Sequence, residues 1–344
     1  MHRNKSLLFN QFISFSNLLE ATKKAVRGKR LKRDLSDFMN NREEEIINLQ
    51  GQLSNETWQP SAFHTFKIYE PKPRLISSTC FRDRIVHQAL CQVIAKDLDR
   101  MSIEDSYACR KGKGLHKAIQ KVQIESRKWQ YYLKIDIEHF FETADHIVLF
   151  EMLKRLFKDP KLLNLMKTII DYGAPGSALG KGLPIGNLTS QYWSNFYLGK
   201  LDLMIKHNLR VKGYIRYMDD MLLFADDMNT LQDHLTRIKS FVEDTLKLKL
   251  KDKATLFASV SHGIPYLGFR IWRQTIRMDF ARKLRLVKKL KQLTSSTQLG
   301  NLEQLSSLER SQQLETLLAW ANVGNTYQLI RSWGNQHQWH LDPL

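Results

Sequence analysis

The sequence predicts an α+β protein in which helices are combined with an antiparallel sheet. Segments with helical periodicity alternate with short strand-like segments, without the regular period of a parallel βαβ protein. Two strand-like runs flank an acidic pair at 219–220, which is typical of a β-hairpin. The chain has 344 residues, 42% hydrophobic and 26% charged, so it can bury a core and is long enough for about two domains.

The individual elements follow from hydrophobic periodicity and turn residues, taken in chain order. Helices are predicted over 5–26, 41–53, 83–99, 114–129, 145–156, 159–171, 188–208, 229–247, 280–294 and 302–333. Strands are predicted over 63–69, 73–77, 131–136, 212–217, 221–225, 254–258 and 265–272.

Composition argues against several classes of protein. No run approaches the ~18 consecutive apolar residues of a membrane span, and residues 1–19 lack the features of a secretory signal. Cys80, Cys91 and Cys109 are too few for a disulfide scaffold and lack metal-ligand spacing. We therefore expect a cytoplasmic protein with no membrane partner.

The net charge favours a polyanionic partner. Fifty-three Lys and Arg against 35 Asp and Glu give a formal charge of +18, which attracts nucleic acid. Charge alone does not separate a nucleic-acid-binding protein from one that is simply basic. Basic residues are concentrated in 23–33 and 282–291, and leucine and valine at 284, 287, 290 and 293 predict a helix there with one apolar stripe.

The acidic pair Asp219-Asp220 lies between the apolar runs of the segment 214–224. Adjacent aspartates in a turn repel each other, and a divalent cation would relieve this repulsion. A surface turn is the alternative interpretation of the pair alone.

A second acid, Asp136, ends the apolar strand predicted over 131–136. A strand-end cap is its simplest interpretation in isolation. Taken together, however, carboxylates at two neighbouring strand ends suit Mg²⁺. Two such ions ~3.5–4 Å apart activate a 3′-hydroxyl and stabilise a leaving pyrophosphate oxygen, so the three acids favour a two-metal site.

These segments resemble the palm of a reverse transcriptase, through Tyr-Met-Asp-Asp at 217–220 and Lys-Ile-Asp-Ile-x-x-Phe-Phe at 134–141. Further matching segments lie in order between about 65 and 272: Lys-Pro-Arg-Leu-Ile at 72–76, Phe-Arg-Asp-Arg-Ile-Val-His-Gln-Ala-Leu at 81–90, Tyr-Ala-Cys-Arg-Lys-Gly-Lys-Gly at 107–114 and Gly-Leu-Pro-Ile-Gly-Asn-Leu-Thr-Ser-Gln at 182–191. The last, Tyr-Leu-Gly-Phe at 266–269, resembles the primer-gripping hairpin. The resemblance implies a right-hand polymerase fold with fingers, a palm with an antiparallel sheet, and a helical thumb.

The resemblance also implies a division of the chain into four parts. These are an N-terminal helical basic extension (1–60), fingers (61–130, with 159–190 partly inserted), a palm (131–272) and a helical thumb (273–344). The basic face of the thumb would follow the template–primer backbone. Trp320, Trp333 and Trp339 would either stack on bases or pack in a core or interface.

The resemblance implies that the acids are catalytic. Asp136 and Asp219 would hold two Mg²⁺ ions, with Asp220 as the adjoining carboxylate and the main-chain carbonyl of Ile137 as a further ligand. Lys251 or Lys253 would protonate pyrophosphate, although the alternating segment 248–253 equally fits a strand with one solvated face. The sequence does not choose between the two lysines.

Six residues are implied to bind the deoxynucleoside triphosphate, one of them Ile137 through its main-chain carbonyl. Lys72 and Arg74 would meet its phosphates, unless their segment is an ordinary basic loop. Phe141 would lie beneath the sugar and collide with a 2′-hydroxyl, the alternative being a core Phe. Gly186 would allow close approach of the backbone. Ile185 stands where many reverse transcriptases have Gln, and it cannot form a hydrogen bond near the sugar.

The loop Ile-Gly-Asn-Leu-Thr-Ser-Gln at 185–191 narrows the resemblance to reverse transcriptases of diversity-generating retroelements, as do segments 70–74 and 198–202. Many retron and group II intron enzymes instead have Gln-Gly-x-x-x-Ser-Pro in this loop. The narrower resemblance implies error-prone, adenine-mutagenised cDNA copied from a template-repeat RNA for targeted protein diversification. It also implies a small helical accessory variability protein that forms an oligomer. The stiff Ile185 side chain predicts lax copying but not the adenine bias.

Two alternatives remain open. One is a retron-like or phage-defence reverse transcriptase. The other is a non-catalytic RNA-binding module on a polymerase fold, although such a module has no reason to gather carboxylates near phosphates. The polymerase interpretation implies template RNA, the RNA/cDNA duplex and deoxynucleoside triphosphates as partners, in a bacterial cytoplasm and from a chromosomal or prophage gene.

Overall fold

The computed structural model describes residues 7–27, 33–69 and 73–295, together with Glu315 and Leu317. Lys72, the three C-terminal tryptophans and nearly all of the helix predicted over 302–333 lie outside the described residues. Across the described ranges, no helix has the length and apolar character needed to cross a membrane.

The N-terminal part is helical, with α1 (Leu7–Ile13), α2 (Phe15–Val26), α3 (Arg33–Asn40) and α4 (Arg42–Ser54). Ser14 separates α1 from α2, because its side chain accepts a hydrogen bond from the Asn17 N–H and caps a new helix. The single helix predicted over 5–26 is therefore two helices. The short α3 was not predicted.

An exposed hairpin and two long helices follow. Strands β1 (His64–Ile68) and β2 (Arg74–Ser78) pair antiparallel. Helix α5 (Phe81–Arg100) is buried along most of its length, whereas α6 (Leu115–Lys128) is amphipathic. Helix α5 contacts the N-terminal helices, so the N-terminal part packs directly on the remainder of the protein.

The middle of the chain contains β3 (Tyr131–Asp136), the single turn α7 (Phe140–Thr143), and the helices α8 (His146–Leu156), α9 (Pro160–Tyr172) and α10 (Leu188–Leu203). Helix α10 continues into a π-helical turn, Met204–Asn208. Aspartates cap two of these helices: Asp145 accepts from α8 and Asp159 from α9.

The central sheet is built from β4 (Gly213–Tyr217), β5 (Asp220–Ala225), β3 and, after α11 (Met228–Asp244), β6 (Leu256–Ser259). Its order is β4-β5-β3-β6, and every neighbouring pair is antiparallel. Side chains alternate between two cores: Leu133 and Leu223 belong to the larger one and Tyr132 and Leu222 to the smaller one. Both faces of the sheet are therefore buried, which holds its strand ends in fixed positions.

A second sheet covers the smaller core, with β7 (Ile264–Tyr266), β8 (Phe269–Ile271) and β9 (Ile276–Met278), followed by α12 (Phe280–Ser295). The strand predicted over 265–272 is in fact a hairpin, because Leu267 and Gly268 both have positive φ and form a tight turn. Strand β9 was not predicted. In α12, Leu286 and Leu290 are buried whereas Leu284 is exposed, so the apolar stripe follows a four-residue step and not the predicted three.

The predicted α+β class with an antiparallel sheet is confirmed. The proposed domain boundaries stay a prediction, since only the first part of the C-terminal segment is described.

Candidate active site

The acids predicted from sequence lie together at one end of the central sheet. Asp136, the last residue of β3, is the direct partner of Asp220, the first residue of β5, so their side chains are on the same face. Asp219 precedes Asp220 in the turn and lies close enough to Asp136 for the Asp136 charge to raise the pKa of Asp219. Three carboxylates from two segments more than eighty residues apart in sequence thus form one cluster.

The turn that carries Asp219 has an unusual backbone. Tyr217 pairs with Asp220, so only Met218 and Asp219 connect the strands. Met218 has φ 54°, a region that favours glycine in a two-residue hairpin. The buried Arg216 side chain stabilises this conformation, because its Nη1 donates a hydrogen bond to the Met218 carbonyl at 3.1 Å.

Arg216 belongs to a fully buried polar network beneath the turn. Its guanidinium donates to both carboxylate oxygens of Asp202 on α10, at 2.7 and 2.6 Å, and to the side-chain oxygen of Asn195 at 3.0 Å. The Tyr214 hydroxyl donates to the same Asp202 carboxylate at 2.8 Å. Both charges of the pair are completely buried, so the network fixes the turn relative to α10.

The electrostatics of the acid cluster differ from those of this network. Burial and the Asp136 charge raise the pKa of Asp219 to about 6, with Arg74 acting in the opposite direction. Burial raises the pKa of Asp220 to about 7, although Lys134 lies 3.3 Å from its carboxylate. The Oδ1 atom of Asp220 is buried and has no hydrogen-bond partner. The cluster holds more negative charge than its protein surroundings neutralise.

Ile137 presents its carbonyl towards the acids. It forms an isolated antiparallel bridge with Leu250, and the flanking residues make the hydrogen bonds, including one from the Lys251 N–H to the Asp136 carbonyl at 2.9 Å. Because successive carbonyls of a strand point to opposite sides, the Ile137 carbonyl faces the β5 side, where Asp219 lies.

The donors at this site suit a hard divalent cation, although no group of three or more His, Cys, Asp and Glu side chains in the described residues is placed to hold a metal. Asp220 is engaged with Lys134. This leaves the carboxylates of Asp136 and Asp219 and the carbonyl of Ile137 as oxygen donors, the type that Mg²⁺ prefers. The uncompensated negative charge and the unpartnered Asp220 oxygen are consistent with a cation site.

The lysines after the acids have different surroundings. Lys251 is half-buried, and its N–H is bonded to the Asp136 carbonyl, so its backbone lies beside the cluster. Lys253 is exposed in the single helical turn Asp252–Ala254. The structure thus brings Lys251 near the acids.

The β1–β2 hairpin reaches the acids through Arg74, whose exposed guanidinium is close enough to lower the pKa of Asp219. The loop before α10 packs on the same hairpin: the Ser77 N–H donates to the Ile185 carbonyl at 2.8 Å. Gly186 has φ 113°, and a Cβ there would lie 3.1 Å from the Ile76 side chain. A larger residue at 186 would be strained and crowded.

The two adjacent phenylalanines have different environments. Phe140 is buried and packs edge-on against Tyr197, as expected for a core residue. Phe141 is half-buried, and its carbonyl accepts a hydrogen bond from the Leu183 N–H at 2.6 Å. Phe141 therefore lies beside the loop that carries Ile185.

Three further residues contact the site: Lys134 and Arg216, to which the sequence assigned no role, and Tyr266, which was placed only in the segment resembling a primer-gripping hairpin. Lys134 precedes Asp136 by two residues, so strand alternation places both on one face, a signal that was available. The Tyr266 hydroxyl donates to the Asp220 carbonyl at 3.2 Å, and the Lys134 ammonium lies over its ring. The contact between Arg216 and Asp202 depends on how α10 packs and has no local sequence signal.

Comparisons with known proteins show what this chain is similar to. The family described as "Reverse transcriptase (RNA-dependent DNA polymerase)" matches residues 67–271. Protein YkfC of Escherichia coli is 24% identical over 284 residues, 69% of this chain and 74% of its own length. The group II intron-encoded protein LtrA of Lactococcus lactis is 20% identical over 333 residues, 76% of this chain and 54% of its own length.

Solved telomerase structures share the fold. The telomerase of Candida tropicalis has a TM-score of 0.54 and 12% identity, over 82% of this chain and 56% of that chain. The Candida albicans telomerase has a TM-score of 0.50 and 13% identity, over 72% and 52%. This chain thus spans about half the length of LtrA and of the telomerase chains.

The family match covers more than half of the chain and includes both acid-bearing strands. The predicted polymerase fold is therefore confirmed, and an RNA-directed DNA polymerase is confirmed at the level of the family. The chain belongs to the reverse transcriptase family of RNA-dependent DNA polymerases.

Proposed function

We propose that the chain copies RNA into DNA by two-metal nucleotidyl transfer at the acid cluster. The observation that carries this proposal is the β3–β5 register, which sets Asp136 opposite Asp220 with Asp219 in the adjoining turn. Asp136, Asp219 and the Ile137 carbonyl would hold Mg²⁺, with Asp220 as the adjoining carboxylate. Bound Mg²⁺ supplies activation of the 3′-hydroxyl and charge stabilisation at the leaving pyrophosphate.

The chain's own residues would position the nucleotide. Arg74, close enough to interact electrostatically with Asp219, would bind the triphosphate together with Lys72. The half-buried Phe141 would lie against the sugar and exclude a 2′-hydroxyl. Gly186 would keep the backbone of its loop close to the β1–β2 hairpin. Lys251, whose backbone is bonded beside Asp136, is the better placed of the two lysines to give a proton to pyrophosphate.

The wider arrangement follows the right-hand plan. Residues 61–130, with 159–190, would form the fingers, 131–272 the palm and 273–344 the thumb, after a helical extension over 1–60. The amphipathic α12, which has six basic residues and a buried leucine pair, is consistent with a thumb helix that follows the template–primer backbone. Template RNA and the RNA/cDNA duplex would be the partners.

Within the family, we propose a diversity-generating retroelement enzyme that makes adenine-mutagenised cDNA from a template-repeat RNA. The support is the Ile-Gly-Asn-Leu-Thr-Ser-Gln loop at 185–191, in which the half-buried Ile185 cannot form a hydrogen bond with an incoming nucleotide. This function would include a small oligomeric helical accessory protein and a bacterial cytoplasmic location.

A retron-like or group II intron-like reverse transcriptase is the second candidate, and it is equally compatible with the family match. It is favoured by the similarity to LtrA, which extends over 76% of this chain. A template-repeat pair that differs at adenines, encoded beside this gene, would favour the first candidate. A structured RNA that primes from an internal 2′-hydroxyl would favour the second.

Primer extension tests the polymerase proposal. The wild-type chain and Asp219→Ala are given primed RNA, Mg²⁺ and deoxynucleotides, with and without the accessory protein and cognate RNA. We expect the wild-type chain to extend the primer and Asp219→Ala to leave it unextended. Retained RNA binding without any extension by the wild type would support a non-catalytic binding module, and sequencing of the cDNA would separate the two candidate functions.

A further inference from the structure

A basic cavity lies at the end of the central sheet opposite the acids. At this end Tyr131, five residues along β3 from Asp136, pairs with Ala225 of β5 on one side and with Ser259 of β6 on the other. At about 3.3 Å per residue, this end is roughly 17 Å from the acid cluster. The cavity next to it has a volume of about 550 Å³ and is lined by Val260, Ser261, Trp272, Arg273, Gln274, Thr275 and Arg277.

Neutral acceptors hold the guanidinium groups around this cavity. Arg273 donates to the Ser126 carbonyl at 3.1 Å, and Arg127 donates to the carbonyl of Arg273 at 2.7 Å. The Arg277 guanidinium lies 5.7 Å from the centre of the Trp272 ring. Carbonyls and a ring orient these cations without cancelling their charge.

No carboxylate among the described residues forms an ion pair with Arg127, Arg273 or Arg277, and all three are exposed. The nearby acid, Glu125, is buried and already paired with Lys121 and Lys128, each at 3.1 Å. The cavity therefore keeps its positive charge.

Trp272 is fixed in place by a glycine. Gly263 has φ 76°, and a Cβ at this position would lie 2.4 Å from the indole ring. The ring can pack this closely only because residue 263 has no side chain. The Trp272 N–H also donates to the Thr275 carbonyl at 2.8 Å, which closes the β8–β9 turn. The platform beneath Arg277 is thus rigid.

We propose that this cavity binds the phosphate backbone of RNA outside the duplex held at the acids, and so forms a second RNA contact of the enzyme. Guanidinium groups bind phosphate with two parallel hydrogen bonds, and the hydroxyl and amide side chains of Ser261, Thr275 and Gln274 are the usual partners of phosphate and sugar oxygens. This mixture of cations with neutral donors favours nucleic acid over an acidic protein surface. The proposal rests on the proposed function, since the RNA would be the template or its flanking region.

The test measures the binding of a long single-stranded RNA and the extension of a short primer–template duplex that cannot reach the cavity. Arg273→Gln with Arg277→Gln removes two charges, while Thr275→Glu adds a carboxylate and keeps both guanidinium groups. Arg237→Gln with Lys239→Gln, on the exposed face of α11, is the control with the same change in charge.

We expect both cavity variants to bind long RNA about tenfold more weakly at 0.15 M salt. For the double Gln variant, the dependence of affinity on salt concentration should become shallower, by the equivalent of about one to two phosphate contacts. The α11 control should bind as the wild type does. Extension of the short duplex should be unchanged in all variants.

Three results separate the possibilities. Wild-type affinity for long RNA in both folded cavity variants would overturn the proposal. The proposal would also be overturned if the cavity variants lost affinity for a poly-glutamate peptide but kept their affinity for RNA. The cavity would then bind an acidic protein partner. A wild-type chain that extends no duplex, but loses RNA binding in the cavity variants, would remove the polymerase proposal and leave the second RNA contact standing.

Discussion

Two acidic sites in the same sheet region, Asp202 and the cluster around Asp220, differ in how their negative charge is compensated. Asp202 is fully buried, and both its oxygens accept hydrogen bonds from Arg216. Asp220 is half-buried beside Lys134, but one of its oxygens has no partner and two other carboxylates lie next to it. One acid is part of a completed ion pair, and the other belongs to a cluster with excess negative charge.

The difference indicates which acids have a structural role and which are available for chemistry. A buried pair with every hydrogen bond satisfied costs little once formed, and it fixes geometry. A cluster with raised pKa values is destabilising by itself and is retained where a cation or substrate compensates for it. In this protein the completed pair directly supports the turn that carries the uncompensated cluster, through the Met218 carbonyl.

The largest expected effect is on catalysis when the cluster loses a charge. Asp219→Asn should reduce primer extension by at least about 10³-fold, because the side chain proposed to hold Mg²⁺ becomes neutral. The free energy of unfolding should stay the same or rise, since a repelling charge is removed. Single-turnover extension and urea unfolding measure the two quantities.

The control for this variant is Asp226→Asn, which neutralises an exposed acid shortly after β5 and should leave extension unchanged. Extension by Asp219→Asn within tenfold of the wild type would contradict the catalytic assignment.

The opposite pattern is expected when the completed pair is broken. Asp202→Asn leaves the Arg216 charge buried and uncompensated, so it should lower the free energy of unfolding by about 3–5 kcal/mol. Lys167–Asp171 is an exposed pair, and Asp171→Asn should cost less than about 0.5 kcal/mol. Urea unfolding compares them, and a cost below about 1 kcal/mol for Asp202→Asn would show that Arg216 does not depend on this carboxylate.

A third prediction concerns the sugar of the incoming nucleotide. Phe141→Val should raise ribonucleotide incorporation relative to deoxynucleotide incorporation by about 10–100-fold, because the ring proposed to collide with a 2′-hydroxyl is removed. Its carbonyl hydrogen bond to Leu183 involves only the backbone and should persist. The ratio of kcat/KM values for the two nucleotide types measures the effect, and an unchanged ratio would assign Phe141 to packing alone.

The acid cluster should also make the stability of the protein depend on pH. The pKa values of Asp219 and Asp220 are raised from 3.8 to about 6 and about 7, so the folded protein binds more protons than the unfolded chain between these values. The contribution of these groups to stability should therefore be fully present below about pH 4 and should be lost as the pH rises through about 6 to 7.

Thermal unfolding from pH 4 to 8 measures this dependence, with Asp219→Asn as the variant in which the slope becomes shallower. Mg²⁺ should raise the Tm more at pH 7.5 than at pH 5, because it binds the deprotonated carboxylates. A Mg²⁺ effect independent of pH would contradict cation binding at this cluster.

The sequence predicted the parts of this comparison that are local. The strand 131–136 has the predicted bounds. The acids converge because β3 ends at Asp136 and its antiparallel partner β5 begins at Asp220. The pair of Asp202 and Arg216 was not predictable, since an Asp near the end of a helix and an Arg in an apolar strand meet only when α10 packs on the sheet. The apolar pattern over 265–272 predicted one strand because Leu267, a residue that rarely adopts positive φ, precedes the glycine in the turn. Only the resemblance of 266–269 to a primer-gripping hairpin indicated a turn there.

The smallest expected effect concerns fidelity and involves no charge. The Ile185 carbonyl accepts a hydrogen bond from the Ser77 N–H, so the backbone of this loop is held independently of the side chain. Ile185→Gln should therefore change only what the side chain offers to the nucleotide, namely an amide in place of a stiff apolar group. We expect the error rate opposite template adenines to fall by a few-fold, about 0.6 kcal/mol of added discrimination.

Ile185→Leu keeps the site apolar and should copy adenines as the wild type does. Sequencing of cDNA from one template with the three proteins compares the rates, and equal errors at adenines in the Gln and Leu variants would place the source of mutagenesis elsewhere.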